Sequence, residues 1–253
     1  MTLTPQAARC MMEAAAVAAA SLFAVAAAQA QTEPDGKWHG AISLGGAFAT
    51  GNTDTLSVTL AADATKVRPI DRVSLSGLVN YGKSTINGVD TTTADQAWIR
   101  GRYDYNLTEV VFVFGGAAAQ THKAAGTRSR YDLNAGVGYK LIRNPTTSFD
   151  VFAGVGYSGV EFTDDSSANG GQLVLGEESS HKIAESSTFN QRFTYRPGQS
   201  DLGDLATFTA GWATAITGAW TINVGLAAQW ASVVPAGSKS TDALLTVGFG
   251  YKF

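Results

Sequence analysis

The sequence is poor in three things, and each shortage excludes a class. It has one cysteine in 253 residues, Cys10, which excludes a disulfide framework and a cysteine-based zinc site. It has little charge: 15% of residues are Asp, Glu, Lys or Arg, where about 25% is usual. The 18 Lys+Arg and 21 Asp+Glu leave a net charge of −3, so no electrostatic case exists for nucleic acid, which needs a basic face. Low charge with 45% hydrophobic residues is also the reverse of a disordered composition. Finally, no apolar run reaches the roughly 20 residues of a membrane-spanning helix. What is abundant is glycine, 28 residues, above the usual share of about 7%. These glycines form no Walker-type or dinucleotide-binding pattern, so no cofactor is expected.

The longest apolar run, Ala14 to Ala28, follows a weakly basic start with Arg9 and precedes Ala28-Gln29-Ala30. A basic start, an apolar run of this length and a small-x-small site predict a secretory signal peptide, residues 1–30, cleaved after Ala30. A membrane anchor is the alternative, and the run is short for it. Cys10 leaves with the leader. Residues 31–37 read as a short periplasmic lead-in and 38–253 as one domain, with no linker or composition shift to divide it.

That domain alternates with period two. In residues 130–140, Tyr131, Leu133, Ala135, Val137 and Tyr139 share one face of an extended chain, while Arg130, Asp132, Asn134 and Lys140 share the other. Successive side chains of a strand point to opposite sides, so this is a strand with an apolar and a polar-or-small face. The pattern returns in Val73, Leu75, Gly77, Val79 and Tyr81, in Ile222, Val224, Leu226, Ala228 and Trp230, and in Leu245, Val247, Phe249, Tyr251 and Phe253. Gly, Pro, Asn and Asp clusters, such as Arg143-Asn144-Pro145-Thr146, punctuate the runs. No convincing helical period follows residue 30. The predicted strands are 38–50, 55–67, 71–83, 92–106, 109–121, 128–141, 147–161, 172–183, 187–196, 204–217, 219–232 and 241–253. The segment 172–196 reads as one strand or two; even strand number in single-chain outer-membrane barrels favours twelve, with ten as the alternative.

Alternation alone also fits a soluble barrel or a periplasmic sandwich. Long uncharged apolar faces, aromatics near strand ends and charges on the opposite face point to a membrane barrel, because such barrels carry aromatic girdles outside and polar residues inside. The expected fold is therefore all-β, a transmembrane antiparallel up-and-down β-barrel in the outer membrane of a Gram-negative bacterium, with lipid as its surroundings. Both termini would be periplasmic, with short turns on that side and longer external loops at 84–91, 121–127 and 162–171.

Trp38-His39-Gly40, Thr50-Gly51-Asn52-Thr53-Asp54, Gly136-Val137-Gly138-Tyr139, Gly176 through Lys182 (GEESSHK), Pro235 through Asp242 (PAGSKSTD) and terminal Gly250-Tyr251-Lys252-Phe253 occur in that order. In this order and spacing the chain resembles the YdiY-like family of salt-induced outer-membrane proteins, a domain of unknown function, over essentially all of 38–253. The resemblance implies location and fold, and supplies no reaction, substrate or catalytic residue. The last strand also resembles the signal by which outer-membrane barrels are recognised for assembly. That puts Tyr251 and Phe253 in this role and names the barrel-assembly machinery as a partner.

Candidate chemistry is thin. His39 and His122 read as incidental. His181 sits among Glu177, Glu178, Ser179, Ser180 and Lys182, and a Ser/His/carboxylate group is one way to activate a nucleophile. Ser180 and His181 face opposite ways, however, and Ser179 and His181 lie about 6.5–7 Å apart along one face, an expected separation too long for a direct bond without a bend. A hydrolase around His181 is the weakest of three functional readings. Metal binding by His181 with Glu177 or Glu185 lacks a three-ligand set. Asp164, Asp165, Ser166 and Asn169 form an acidic loop that reads first as solvated, with a hard cation held by its oxygens as the lesser alternative. The inward-facing charges are the better lead: Arg100, Arg102, Asp104, Arg130, Asp132, Lys140, Arg192 and Arg196 are the candidate lumen-lining residues. Rings of charge select ions, which suggests a narrow channel for small polar or anionic solutes. The other open reading is a non-conducting barrel whose charges pair and fill the lumen.

Overall fold

The computed structural model describes residues 34–49, 53–86, 89–123, 126–198, 202–233 and 240–253. The expected leader, the first part of the lead-in and the Gly51-Asn52 turn lie outside the described residues. Twelve strands follow one another: β1 (Trp38–Ala49), β2 (Thr53–Val67), β3 (Asp71–Ile86), β4 (Val89–Asn106), β5 (Val111–His122), β6 (Thr127–Arg143), β7 (Thr147–Phe162), β8 (Ser167–Ala184), β9 (Ser187–Arg196), β10 (Leu205–Thr217), β11 (Trp220–Ala231) and β12 (Thr241–Lys252). Each pairs antiparallel with its sequence neighbour, and β1 pairs with β12 to close the barrel. Closure leaves no open edge, which hydrocarbon demands, since an unpaired backbone group there costs several kcal/mol.

The ambiguous segment is two strands, joined at Glu185-Ser186. Three expected loops are shorter than the sequence suggested. Strand β3 runs on to Ile86, β4 starts at Val89 and β8 starts at Ser167. Polar residues such as Thr91 and Asn169 look like loop, yet their backbone groups find ladder partners across the hairpin. The longest connections, between Arg196 and Leu205 and between Ala231 and Thr241, lie at the same end as these hairpins. The opposite end, with both termini, has tight turns. Asn144 caps one of them, its Oδ1 accepting from the amides of Thr146 and Thr147.

The barrel is inverted relative to a soluble one. Ile99, Val155, Leu245 and Phe249 are each more than 60% exposed, whereas Asn80, Asp104 and Asp150 are 5% exposed or less. The apolar stripe faces outward on every strand where alternation is clear, as a lipid surface requires. On β6 it runs from Tyr131 to Tyr139, both outward, eight residues or about 26 Å of strand; at a tilt of about 40° this covers about 20 Å of an apolar band about 25 Å tall between aromatic girdles. The lower girdle includes Tyr103, Tyr105 and Tyr139, and Trp220 meets Tyr251 edge-on at 5.4 Å.

Glycine explains the inner packing. A Cβ at Gly138 would collide with the Phe112 ring, and one at Gly176 with the Phe152 ring. The rings of Phe112 and Phe152 thus press against bare backbone, within a small internal cluster of Phe112, Phe114, Phe152 and Val174. Alternation gave no hint of an aromatic cluster on the polar face; it fits there because neighbouring strands offer glycine in place of a side chain.

Candidate functional site: the charged bore

Two layers of charge cross the interior. The lower one, towards the termini, centres on Glu178 of β8. Arg192 of β9 is its register partner on one side and Asp150 of β7 on the other, and Lys140 of β6 pairs next to Asp150. Register alone therefore makes a row across four adjacent strands carrying Arg, Glu, Asp and Lys on one inner face. From the far wall, Arg72 of β3 reaches Glu178 Oε1 at 2.6 Å while also holding Asp104 at 2.7 Å. Arg102 of β4 donates to Asp104 at 2.6 Å and reaches Glu178 at 3.4 Å, and Arg192 reaches the same carboxylate at 3.1 Å. Since β3 and β8 are not neighbours, the Arg72–Glu178 contact spans the bore.

The Phe cluster supports this layer. The Arg102 guanidinium lies 4.6 Å from the Phe114 ring centroid and 4.9 Å from that of Phe152, and Arg192 lies 5.1 Å from Phe152. A cation over an aromatic face gains up to about 2 kcal/mol when desolvated. Phe114 and Phe152 meet edge-on at 5.5 Å.

The upper layer centres on Asp132 of β6. Arg130 reaches it at 3.2 Å and Arg196, three strands away, at 3.4 Å. The Ser158 hydroxyl donates to it, and Gln172 Nε2 donates to Ser158 Oγ at 2.5 Å. Arg100 has no carboxylate partner among the described residues; it lies 5.5 Å from the Trp98 ring centroid.

All eight expected inward residues thus belong to two networks or their margins, with Arg100 beside the upper one and Lys140 held by Asn106 Oδ1 at 2.8 Å. Alternation located them, but pairing across the barrel could not be read from it. It missed Arg72, Arg143, Asp150 and Glu178. Period two held the signal for Glu178, which lies on the face opposite Glu177, Ser179 and His181; grouping it with His181 by adjacency hid it. Inside, Arg72, Arg100, Arg102, Arg130, Lys140, Arg192 and Arg196 outnumber Asp63, Asp104, Asp132, Asp150 and Glu178, although the whole chain is net negative. Two buried guanidinium nitrogens, Arg102 Nη2 and Arg196 Nε, have no protein acceptor among the described residues.

The other candidates resolve differently. Ser179 and His181 do meet: Nε2 lies 3.2 Å from Oγ. The expected separation ignored the reach of the imidazole, which folds back along the strand. His181 stacks 6.3 Å from Phe189, and Ser179 is only 6% exposed, so the pair presents no open nucleophile. The acidic loop disperses its groups. Asp164 accepts from the Ser166 hydroxyl and amide, which hold its carboxyl below the usual range. Asp165 pairs with Arg128 at 2.6 Å, and Asn169 accepts from Tyr157 at 2.8 Å. Among the described residues no cluster of three His, Cys, Asp or Glu could hold a metal ion. At the C-terminus, Phe253 N donates to Gly40 O at 3.0 Å and its ring covers Gly40.

A closed twelve-stranded barrel with an apolar exterior and a charged interior defines a porin-like outer-membrane β-barrel. Its fold is similar to that of an outer-membrane channel from Pseudomonas putida F1 (TM-score 0.53, 10% identity, covering 89% of this chain and 98% of that one). It is also similar to the NanC porin (TM-score 0.51, 9% identity, covering 84% and 100%). The chain belongs to the family described as "Protein of unknown function, DUF481", which matches residues 42–253. It is 29% identical over 130 residues to the uncharacterized protein YdiY of Escherichia coli K12. That alignment covers 51% of this chain, and the chain spans about half the length of this curated relative.

Proposed function

We propose that the protein is a narrow outer-membrane channel for small anionic solutes, exported by a cleaved signal peptide over residues 1–30 and assembled through Tyr251 and Phe253. The observation that carries this reading is the excess of guanidinium and ammonium groups over carboxylates on the inner wall of a net-negative chain. Fixed charge on a pore wall selects ions of opposite sign. The two buried Arg nitrogens left without a protein acceptor add donors that an anion in transit satisfies. Twelve strands lie between the eight that side chains fill and the sixteen or more that leave an aqueous channel, so a small bore is expected. Planar-bilayer recording of the refolded mature protein tests the reading: small conductance with a reversal potential favouring chloride over potassium is expected, and no conductance above baseline overturns it.

A second reading has its own observation. The Arg72–Glu178 contact crosses the bore, and a barrel closed this way would serve the envelope without conducting. Under that reading bilayers stay silent, and deletion of the protein lowers growth in high salt without changing solute uptake.

A further inference from the structure

Between the lower charged layer and the mouth at the termini lies a cavity of about 160 Å³, whose lining includes Arg72, Asp104, Asn106, Lys140, Asp150 and Ser180. That is the liquid volume of roughly five waters. We propose that this vestibule is a binding site for a small hydroxycarboxylate, with the carboxylate on Lys140 and a hydroxyl on Ser180. The proposal rests on the channel reading for how a solute arrives, and on the vestibule itself for what binds.

The argument is a census of spent and unspent groups. Each carboxylate lining the vestibule already accepts guanidinium hydrogen bonds: Asp104 from Arg72 and Arg102, Glu178 from Arg72 and Arg192, Asp150 from Arg143 at 2.8 and 3.0 Å. The last lining carboxylate, Asp71, is held by Arg68 at 2.6 Å. An incoming cation would have to compete with arginine for each of them. Lys140 differs: its Nζ donates to the neutral Asn106 oxygen, and no carboxylate lies within ion-pair distance of it among the described residues. An ammonium has three donors, so two remain for an oxyanion. Ser180 is 4% exposed, and its Oγ has no partner among the described residues. A buried hydroxyl left unpaired carries an uncompensated desolvation cost, which a ligand hydroxyl recovers. Lys140 and Ser180 stand two strands apart and two residues out of register, about 12 Å, and the lysine stem covers part of that gap. A ligand a few carbons long, anionic at one end and hydroxylated along its length, fits both groups at once; a simple halide would leave Ser180 unpaired.

Isothermal titration of the refolded full chain in detergent, with gluconate as probe and glucose and propionate as comparators, tests the site. Gluconate binds, glucose and propionate bind at least about tenfold more weakly, Lys140→Met weakens gluconate about tenfold or more, and Ser180→Ala about threefold. Lys123→Gln, on the far rim, controls for general charge and leaves binding unchanged. Ser180→Ala removes one oxygen from the inner wall and keeps the site testable if Lys140→Met fails to fold, as read by loss of the heat-modifiable band. No gluconate heat, or gluconate binding unaltered in both variants, or glucose binding as well as gluconate, overturns the proposal. Conductance without gluconate binding removes this site and leaves the channel; gluconate binding without conductance removes the channel and leaves the site.

Discussion

The two charged layers of the bore are built from the same residue types and are held together differently. In the lower layer three arginines converge on one carboxylate, Glu178, over phenylalanine rings seated on glycine. In the upper layer Arg130 and Arg196 share Asp132 through longer contacts, and neutral Ser158 and Gln172 complete the network. Arg100 stands beside it over an indole face, without an ion-pair partner among the described residues. Charges that are spent on each other brace the wall, whereas charges that are only partly matched project a field into the lumen. Under the proposed channel function, the lower layer would be the clamp and the upper one the selecting surface.

The comparison can be broken most sharply at its hub. Glu178→Ala leaves three guanidiniums facing one another without their common carboxylate, and removing one partner of a buried ion network costs about 3–5 kcal/mol. Urea titration of the refolded barrel should show that loss together with a larger single-channel conductance. Unchanged stability would mean that Glu178 braces nothing. Next in size is Gly138→Ala. Its methyl collides with the Phe112 ring beneath the clamp, and overpacking of this kind costs about 1–3 kcal/mol. The same measurement checks it, and a neutral result would show that the ring moves freely. In the upper layer Asp132→Asn keeps its shape and one acceptor. It should cost no more than about 1–2 kcal/mol, while raising the preference for anions measured by reversal potential in asymmetric salt. A stability loss as large as that of Glu178→Ala would erase the distinction between the layers. The smallest expected effect is Arg100→Gln: stability within about 0.5 kcal/mol and a lowered anion preference, also seen in the reversal potential. An unchanged reversal potential would remove Arg100 from the selecting surface.

Alternation made most of the fold legible. Residues 131–139 show five outward positions and four inward ones without any structure, because a strand has one repeat and a lipid-spanning strand has two solvents. The twelve strands, their order and the inward placement of Arg102, Asp104, Arg130 and Asp132 all follow from that. Polar strand ends were misread: Thr91 and Asn169 have the composition of loop, and only a hairpin partner makes them strand. The interior partners were not legible, because period two says which face a residue takes and nothing about the wall opposite. Arg72 and Glu178 are 106 positions apart, and no local pattern links them. The Ser179–His181 contact shows the converse: backbone spacing along one face underrates what a side chain can reach.

What the sequence by itself determined is a matter of period and composition. An outward apolar belt and an inward polar face are properties of single segments, and the solvent each face requires is set residue by residue. Pairing of charges across the bore, the seating of Phe112 and Phe152 on Gly138 and Gly176, and the unspent Lys140 and Ser180 in the vestibule were decided only when the sheet closed. Closure brings together residues whose separation along the chain carries no information about their separation in space.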